Sequence, residues 1–214
     1  MKILVTGFEP FGGEKINPAF QAVKMLPDII EDAEIIKLEI PTAFTKSAEK
    51  IENALLKYSP DVIISVGQAG GRANITVEKV AINLADASIP DNDGYQPIDE
   101  VIKADGDTAY FTNLPIHNMI DFIRKNNIPA SISYSAGTYV CNYVMYNILY
   151  LINKKYNNIK GGFIHVPYCP AQAINKYANT PTMSLENISL ALKCAISAII
   201  QCPKDIKKNE GTIA

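Results

Sequence analysis

Short, almost wholly apolar runs alternate along this chain with segments in which apolar residues recur every three or four positions. That alternation predicts an α/β domain with strands buried in a parallel sheet and amphipathic helices between them. Lys2 to Thr6 reads as a first strand. Asn17-Pro18 fits an N-cap followed by proline at the first helical position, opening a helix to about Met25. Ile35, Leu38 and Ile40 mark a second strand, and Phe44, Ala48, Ile51, Leu55 and Tyr58 form the apolar face of a helix. Asp61 to Val66 has the continuous apolar character of a strand in the middle of a parallel sheet.

Beyond it, Ile75 to Leu84 alternates loosely as one longer strand, with Thr76, Glu78, Val80 and Ile82 on one face. Ile89 to about Asp107 is rich in turn residues, and loops of that length tend to be functional or to serve an interface. Pro115 starts a helix with Ile116, Met119, Ile120 and Ile123 inward, leaving His117, Asp121 and Arg124 on its solvated side. Ala130 to Tyr134 is a strand, Val144 to Ile152 recurs at helical spacing, and Gly161 to Pro167 is another strand. Leu185, Ile188, Leu192, Ile196 and Ile199 form the core stripe of a last helix, from about Ser184 to Gln201. Lys204 to Ala214 is polar and is expected to fray. With 214 residues and no internal repeat, the chain fits a single domain with helices on both faces of a sheet.

Composition narrows the setting. Hydrophobic residues make up 48% and charged residues 20%, and the net charge is −2, which offers no attraction to nucleic acid or an anionic membrane. The amino-terminal apolar stretch is too short for a signal peptide, and no run of about 18 apolar residues occurs. The expected compartment is the cytoplasm, where Cys141, Cys169, Cys194 and Cys202 would be free thiols. No Cys-x-x-Cys pair occurs and there are only two histidines, which argues against a metal site. No cofactor is expected.

Candidate chemistry lies at strand ends. Gly7-Phe8-Glu9-Pro10-Phe11-Gly12-Gly13 has half the glycine spacing of a phosphate loop but lacks the Lys-Ser/Thr that must follow. What remains is a loop with two phenylalanines, which either cap the core or bind a ligand. Gly67-Gln68-Ala69-Gly70-Gly71-Arg72 does not meet the dinucleotide fingerprint either. Ser135 to Asn142 links a strand through Gly137 to a helix that opens near Cys141. In that first turn the helix dipole and unpaired N–H groups favour a thiolate nucleophile and could hold an oxyanion. The competing reading is a small apolar residue packed under a helix. A thiol nucleophile needs a base, and His165, at a strand end, is better placed than the solvated His117. Glu78 lies either at a rim or buried with a partner.

These segments resemble, in order, the motifs of the type I pyroglutamyl peptidases. The motifs are Gly7 to Gly13; Gly67 to Arg72 with Ile75-Thr76-Val77-Glu78; Gly137 to Asn142; and Gly162-Phe163-Ile164-His165-Val166-Pro167. The resemblance covers nearly the whole chain, to about residue 200. It implies a three-layer α/β/α sandwich with a mostly parallel twisted central sheet, often assembled as a homotetramer. It also implies a cysteine peptidase that removes N-terminal pyroglutamate from peptides, with Cys141 as nucleophile, His165 as base and Glu78 as third member. Phe8 and Phe11 would line the lactam ring, with Asn17, Gln68, Ile89, Tyr139 and Val140 around it. Ser88 stands where the family often has arginine, and Tyr139 where it often has phenylalanine. The same triad would also serve an amidase acting on small non-peptide amides.

Overall fold

The computed structural model describes residues 1–211. Its strands are β1 (Lys2–Phe8), β2 (Ile29–Ile30), β3 (Ala33–Ile40), β4 (Val62–Gln68), β5 (Ile75–Glu78), β6 (Val80–Ile82), β7 (Ala109–Phe111), β8 (Ala130–Ser133) and β9 (Lys160–Val166). The helices are α1 (Pro18–Lys24), α2 (Phe44–Tyr58), α3 (Ile116–Lys125), α4 (Val140–Lys154), α5 (Pro170–Ala173) and α6 (Leu185–Gln201). Seven strands form one sheet in the order β2-β3-β1-β4-β9-β5-β8. The pairs β1–β3, β1–β4, β4–β9 and β5–β8 are parallel, whereas β2–β3 and β5–β9 are antiparallel.

Both faces of the sheet are covered, which is why its strands read as apolar runs. Ile3, Val5, Ile64, Val66, Ile164 and Val166 pack with residues of α1, α3 and α6. Their neighbours Leu4, Phe8, Ile63 and Phe163 pack with residues of α2 and α4. The expected three-layer architecture is the observed one. No helix among the described residues is long and apolar enough to cross a membrane.

Ile75 to Leu84 is not one strand. β5 ends at Glu78, level with Ser133 at the end of β8. After a last bond from Lys79 N to Ser133 O the chain leaves the main sheet. β6 pairs instead with β7 in a separate antiparallel ribbon. Buried Asn142 of α4 holds that ribbon: its Oδ1 accepts from Ile82 N, and its Nδ2 donates to the carbonyls of Ile82 and Leu84. Glu78 is therefore the last residue of its strand and fully buried, not at a rim.

Two helices are capped from a distance. Ala43 and Pro115, the N-cap residues of α2 and α3, supply no side-chain cap. Asp91, in the long loop, accepts from Phe44 N at 2.9 Å. Asp205 accepts from His117 N at 3.0 Å and Asn118 N at 3.2 Å. Of the segment expected to fray, Lys204 to Glu210 lies along α3, and 212–214 fall outside the described residues. His117 donates from Nδ1 to Asp205 at 2.7 Å, Arg124 makes a two-pronged pair with Glu210, and Lys208 meets Asp121. The polar face of α3, which reads as solvated, has its partners in the tail.

Replacing a capping carboxylate by alanine costs about 1 kcal/mol. Asp205→Ala should accordingly lower the thermal midpoint by a few degrees without changing the fold. An unchanged midpoint would show that the tail contacts contribute nothing to stability.

Candidate active site

The link from β8 to α4 turns at Gly137, whose φ of +78° lies in the region that glycine occupies without strain. The turn delivers Cys141 as the second residue of α4, as its motif suggests. No side chain caps this helix, so no cap competes for the donors of its first turn. The sulfur lies close to the backbone of β4. A Cβ added at Gly67 would fall 2.9 Å from Cys141 Sγ and 2.7 Å from Phe163 Cζ, so only glycine permits this approach.

Sheet register gathers the rest. Gly67 is paired with His165 across β4 and β9, and Thr76 faces His165 across β9 and β5. Glu78, two residues beyond Thr76, points to the same face and lies diagonally across from the histidine, within reach of its ring. His165 Nδ1 and Glu78 Oε1 are 2.7 Å apart. A carboxylate only accepts, so Nδ1 carries the proton and Nε2 is left with its lone pair. Burial alone would raise the Glu78 pKa. The contact with His165, followed by Ser133 and Arg72, instead holds it below the ordinary carboxylate value. Arg72 Nη1 donates to the same Oε1 at 2.7 Å, whereas Oε2 is buried without a partner.

The thiol does not behave as the helix position alone suggests. Burial, reinforced by the negative charge of Glu78, pushes Cys141 up to about 12, with Arg72 opposing the shift. Cys141 rests as a thiol. The four cysteines are all unpaired.

The residues expected around a ligand separate into groups. Phe8 is buried and packs near Phe163, while Phe11 and Tyr139 are partly exposed, with ring centres 6.2 Å apart. The Tyr139 hydroxyl donates to Pro90 O, tying it to the loop that carries the exposed Ile89. Val140 is buried at the start of α4. Asn17 is spent internally: its Oδ1 accepts from Ala19 N and its Nδ2 donates to Glu9 O. Gln68 follows Gly67 on the strand and so points to the opposite face, where Gln172 Nε2 donates to its Oε1 at 2.8 Å. Its side-chain oxygen is thus engaged away from the sulfur. Ser88 is exposed.

Two participants escaped the sequence reading. Arg72 was visible only as the end of a glycine-rich loop, although a cation placed six residues before a buried carboxylate was a usable signal. Gln172 left no signal, because its partners Glu14, Ile16 and Gln68 are remote in sequence.

A family profile described as pyroglutamyl peptidase matches residues 1–202. This chain belongs to the pyroglutamyl peptidase family. It is similar to the pyrrolidone-carboxylate peptidase of Thermosipho africanus, at 63% identity over 94% of this chain and 98% of that one. A Clostridium perfringens enzyme of the same name is 58% identical over the full length of both. Among solved structures, pyroglutamyl peptidase I from Bacillus amyloliquefaciens superposes with a TM-score of 0.94 at 46% identity, covering 97% of this chain and 99% of that one. Pyrrolidone carboxyl peptidase from Thermococcus litoralis gives a TM-score of 0.93 at 42% identity, with the same coverage. The shared α/β fold and the order of motifs agree with the family resemblance of the sequence.

The elevated thiol has a direct readout. In a variant with Cys169, Cys194 and Cys202 replaced by serine, alkylation of Cys141 by iodoacetamide should keep accelerating with pH well past about pH 8, because the thiolate fraction is still rising. A rate that levels off near neutral pH would mean a preformed thiolate.

Proposed function

We propose that Cys141, His165 and Glu78 carry out the hydrolysis of the amide bond after an N-terminal pyroglutamyl residue, the activity of the pyroglutamyl peptidase family of cysteine peptidases. The observation that carries this reading is the hydrogen bond from His165 to buried Glu78, on the sheet position paired with the Gly67 that Cys141 Sγ approaches. Because the resting sulfur is a thiol, His165 Nε2 removes its proton as Sγ attacks the pyroglutamyl carbonyl. The negative charge on the carbonyl oxygen is met by the N–H groups of the uncapped α4 terminus. The imidazolium then protonates the leaving amine, and a thioester of pyroglutamate remains on Cys141. Water, deprotonated by His165, releases the acid. Glu78 stays ionised throughout and stabilises the imidazolium.

Phe8, Phe11, Ile89, Tyr139 and Val140 supply apolar surface for the flat lactam. Asn17 acts through the loop it braces, since its amide is used at Glu9 and Ala19. Gln68 contributes through its backbone at the end of β4, its side-chain oxygen being held by Gln172. Apolar contact discriminates by only about 1–3 kcal/mol per methylene-sized difference, so selectivity rests on backbone donors and acceptors matched to the lactam.

We also propose that the chain forms a homotetramer through a surface that includes the loop from Ile89 to Asp107. Ile98 and Val101 there are 77% and 65% exposed, beside the exposed Ile89 and Tyr95. Isolated apolar residues on a surface are ordinary, but four on one loop suit an interface. Sedimentation equilibrium at micromolar concentration should give a mass above the monomer. A purely monomeric profile would refute this assembly.

Cys141→Ser should abolish release of amine from a pyroglutamyl anilide, and His165→Ala should lower kcat by about 10³-fold or more. Glu78→Gln should lower kcat with the fold retained. Prolyl and glutaminyl anilides should be cleaved at least about 10³-fold less efficiently than the pyroglutamyl one. Retained turnover in Cys141→Ser would exclude this chemistry.

A further inference from the structure

The mechanism above leaves Arg72 without a part, yet its guanidinium touches three elements of the site. Nη1 donates to Glu78 Oε1 and to Thr76 Oγ1, each at 2.7 Å, and lies 3.5 Å from Ser133 Oγ. Nη2 donates to the carbonyl of Ser135 at 3.2 Å. Thr76 is the residue facing His165 across the sheet, Glu78 is the partner of His165, and Ser135 lies in the turn that leads to Cys141. We propose that Arg72 is a positioning residue: it keeps Glu78 ionised and oriented towards His165 and ties the turn that delivers Cys141 to that same carboxylate. This inference rests on the assignment of Cys141, His165 and Glu78 as the reacting set.

The physical case is one of compensation in a dry site. Glu78 is fully buried, and a buried carboxylate with too few partners becomes neutral rather than remain charged. Its Oε2 has no hydrogen-bond partner, and His165 and Arg72 converge on Oε1. Arg72 is charged at every working pH and supplies a permanent counter-charge. The charged and titratable groups facing His165 are Glu78 from β5, Arg72 from the β4–β5 loop and Cys141 from α4; the neighbouring residues of β8 and β9 are uncharged. Removing Arg72 therefore lets Glu78 take up a proton at higher pH, which ends its support of His165.

Arg72→Gln should lose roughly 10- to 100-fold in kcat/KM at neutral pH, the loss expected for one charge-assisted hydrogen bond. The acidic limb of its pH profile should move to higher pH. Coupling to Glu78 gives a second readout: in a Glu78→Gln background the same substitution should cost less than about threefold. A purely structural role would lower activity equally at all pH values and add fully to Glu78→Gln, and that result would overturn the proposal. So would wild-type kcat/KM in Arg72→Gln. Should Arg72→Gln fail to fold, Arg72→Lys decides, because one ammonium group cannot serve both Glu78 and Ser135. Its kcat should fall several-fold at an unchanged thermal midpoint, and wild-type kcat would refute the inference. Turnover surviving in Cys141→Ser or His165→Ala would instead refute the underlying triad, so the two failures are distinguishable.

Discussion

A carboxylate with no access to water sits at the centre of this protein, and much of the local architecture can be derived from keeping it charged. Glu78 can be ionised only where donors converge on it, and the sheet brings them together. β5 runs antiparallel to β9, which puts Thr76 opposite His165 and Glu78 on the adjacent diagonal. A one-residue slip would turn Glu78 to the other face, among the apolar side chains packed on α1, α3 and α6. Register, charge compensation and the tautomer of His165 are thus a single constraint.

Cys141 obeys a second constraint, in which two effects compete. A helix N-terminus stabilises a nearby anion by about 0.3–1 kcal/mol, and up to about 2 kcal/mol in favourable geometry. Displacing a thiol from 9.0 to about 12 corresponds to about 4 kcal/mol in the opposite direction. Burial wins, and the sulfur keeps its proton despite its place at a helix start. The close approach at Gly67 that buries the sulfur also sets it beside the strand carrying His165.

Around this centre, long-range polar contacts do the bracing. Asp91 and Asp205 cap helices whose own first residues cannot. Gln172 accepts from Cys169 N through Oε1 and donates through Nε2 to Gln68, which couples the segment after β9 to the end of β4. The contacts of Asp91 and Gln172 hold loops bordering the sheet's carboxyl edge to rigid elements, whereas Asp205 acts at the other end, near the start of β9.

Periodicity in the sequence was enough to locate the principal helices, the buried strands and the strand–turn–helix unit of Cys141, because burial on one or both faces writes itself into local pattern. Motif order identified the family and singled out Glu78 from 22 acidic residues. Local pattern failed where a partner was remote. The division of Ile75 to Leu84 depends on where β8 stops, and the contacts of Asp205, Lys208 and Glu210 on charges on α3. The sense of β5 against β9, the committed amides of Asn17 and Gln68, and the elevated thiol of Cys141 were likewise decided only by tertiary structure. The physical reason is the same in each case: hydrophobic periodicity records how a residue meets the core, whereas pairing, register and charge compensation depend on atoms brought together from positions far apart in the chain.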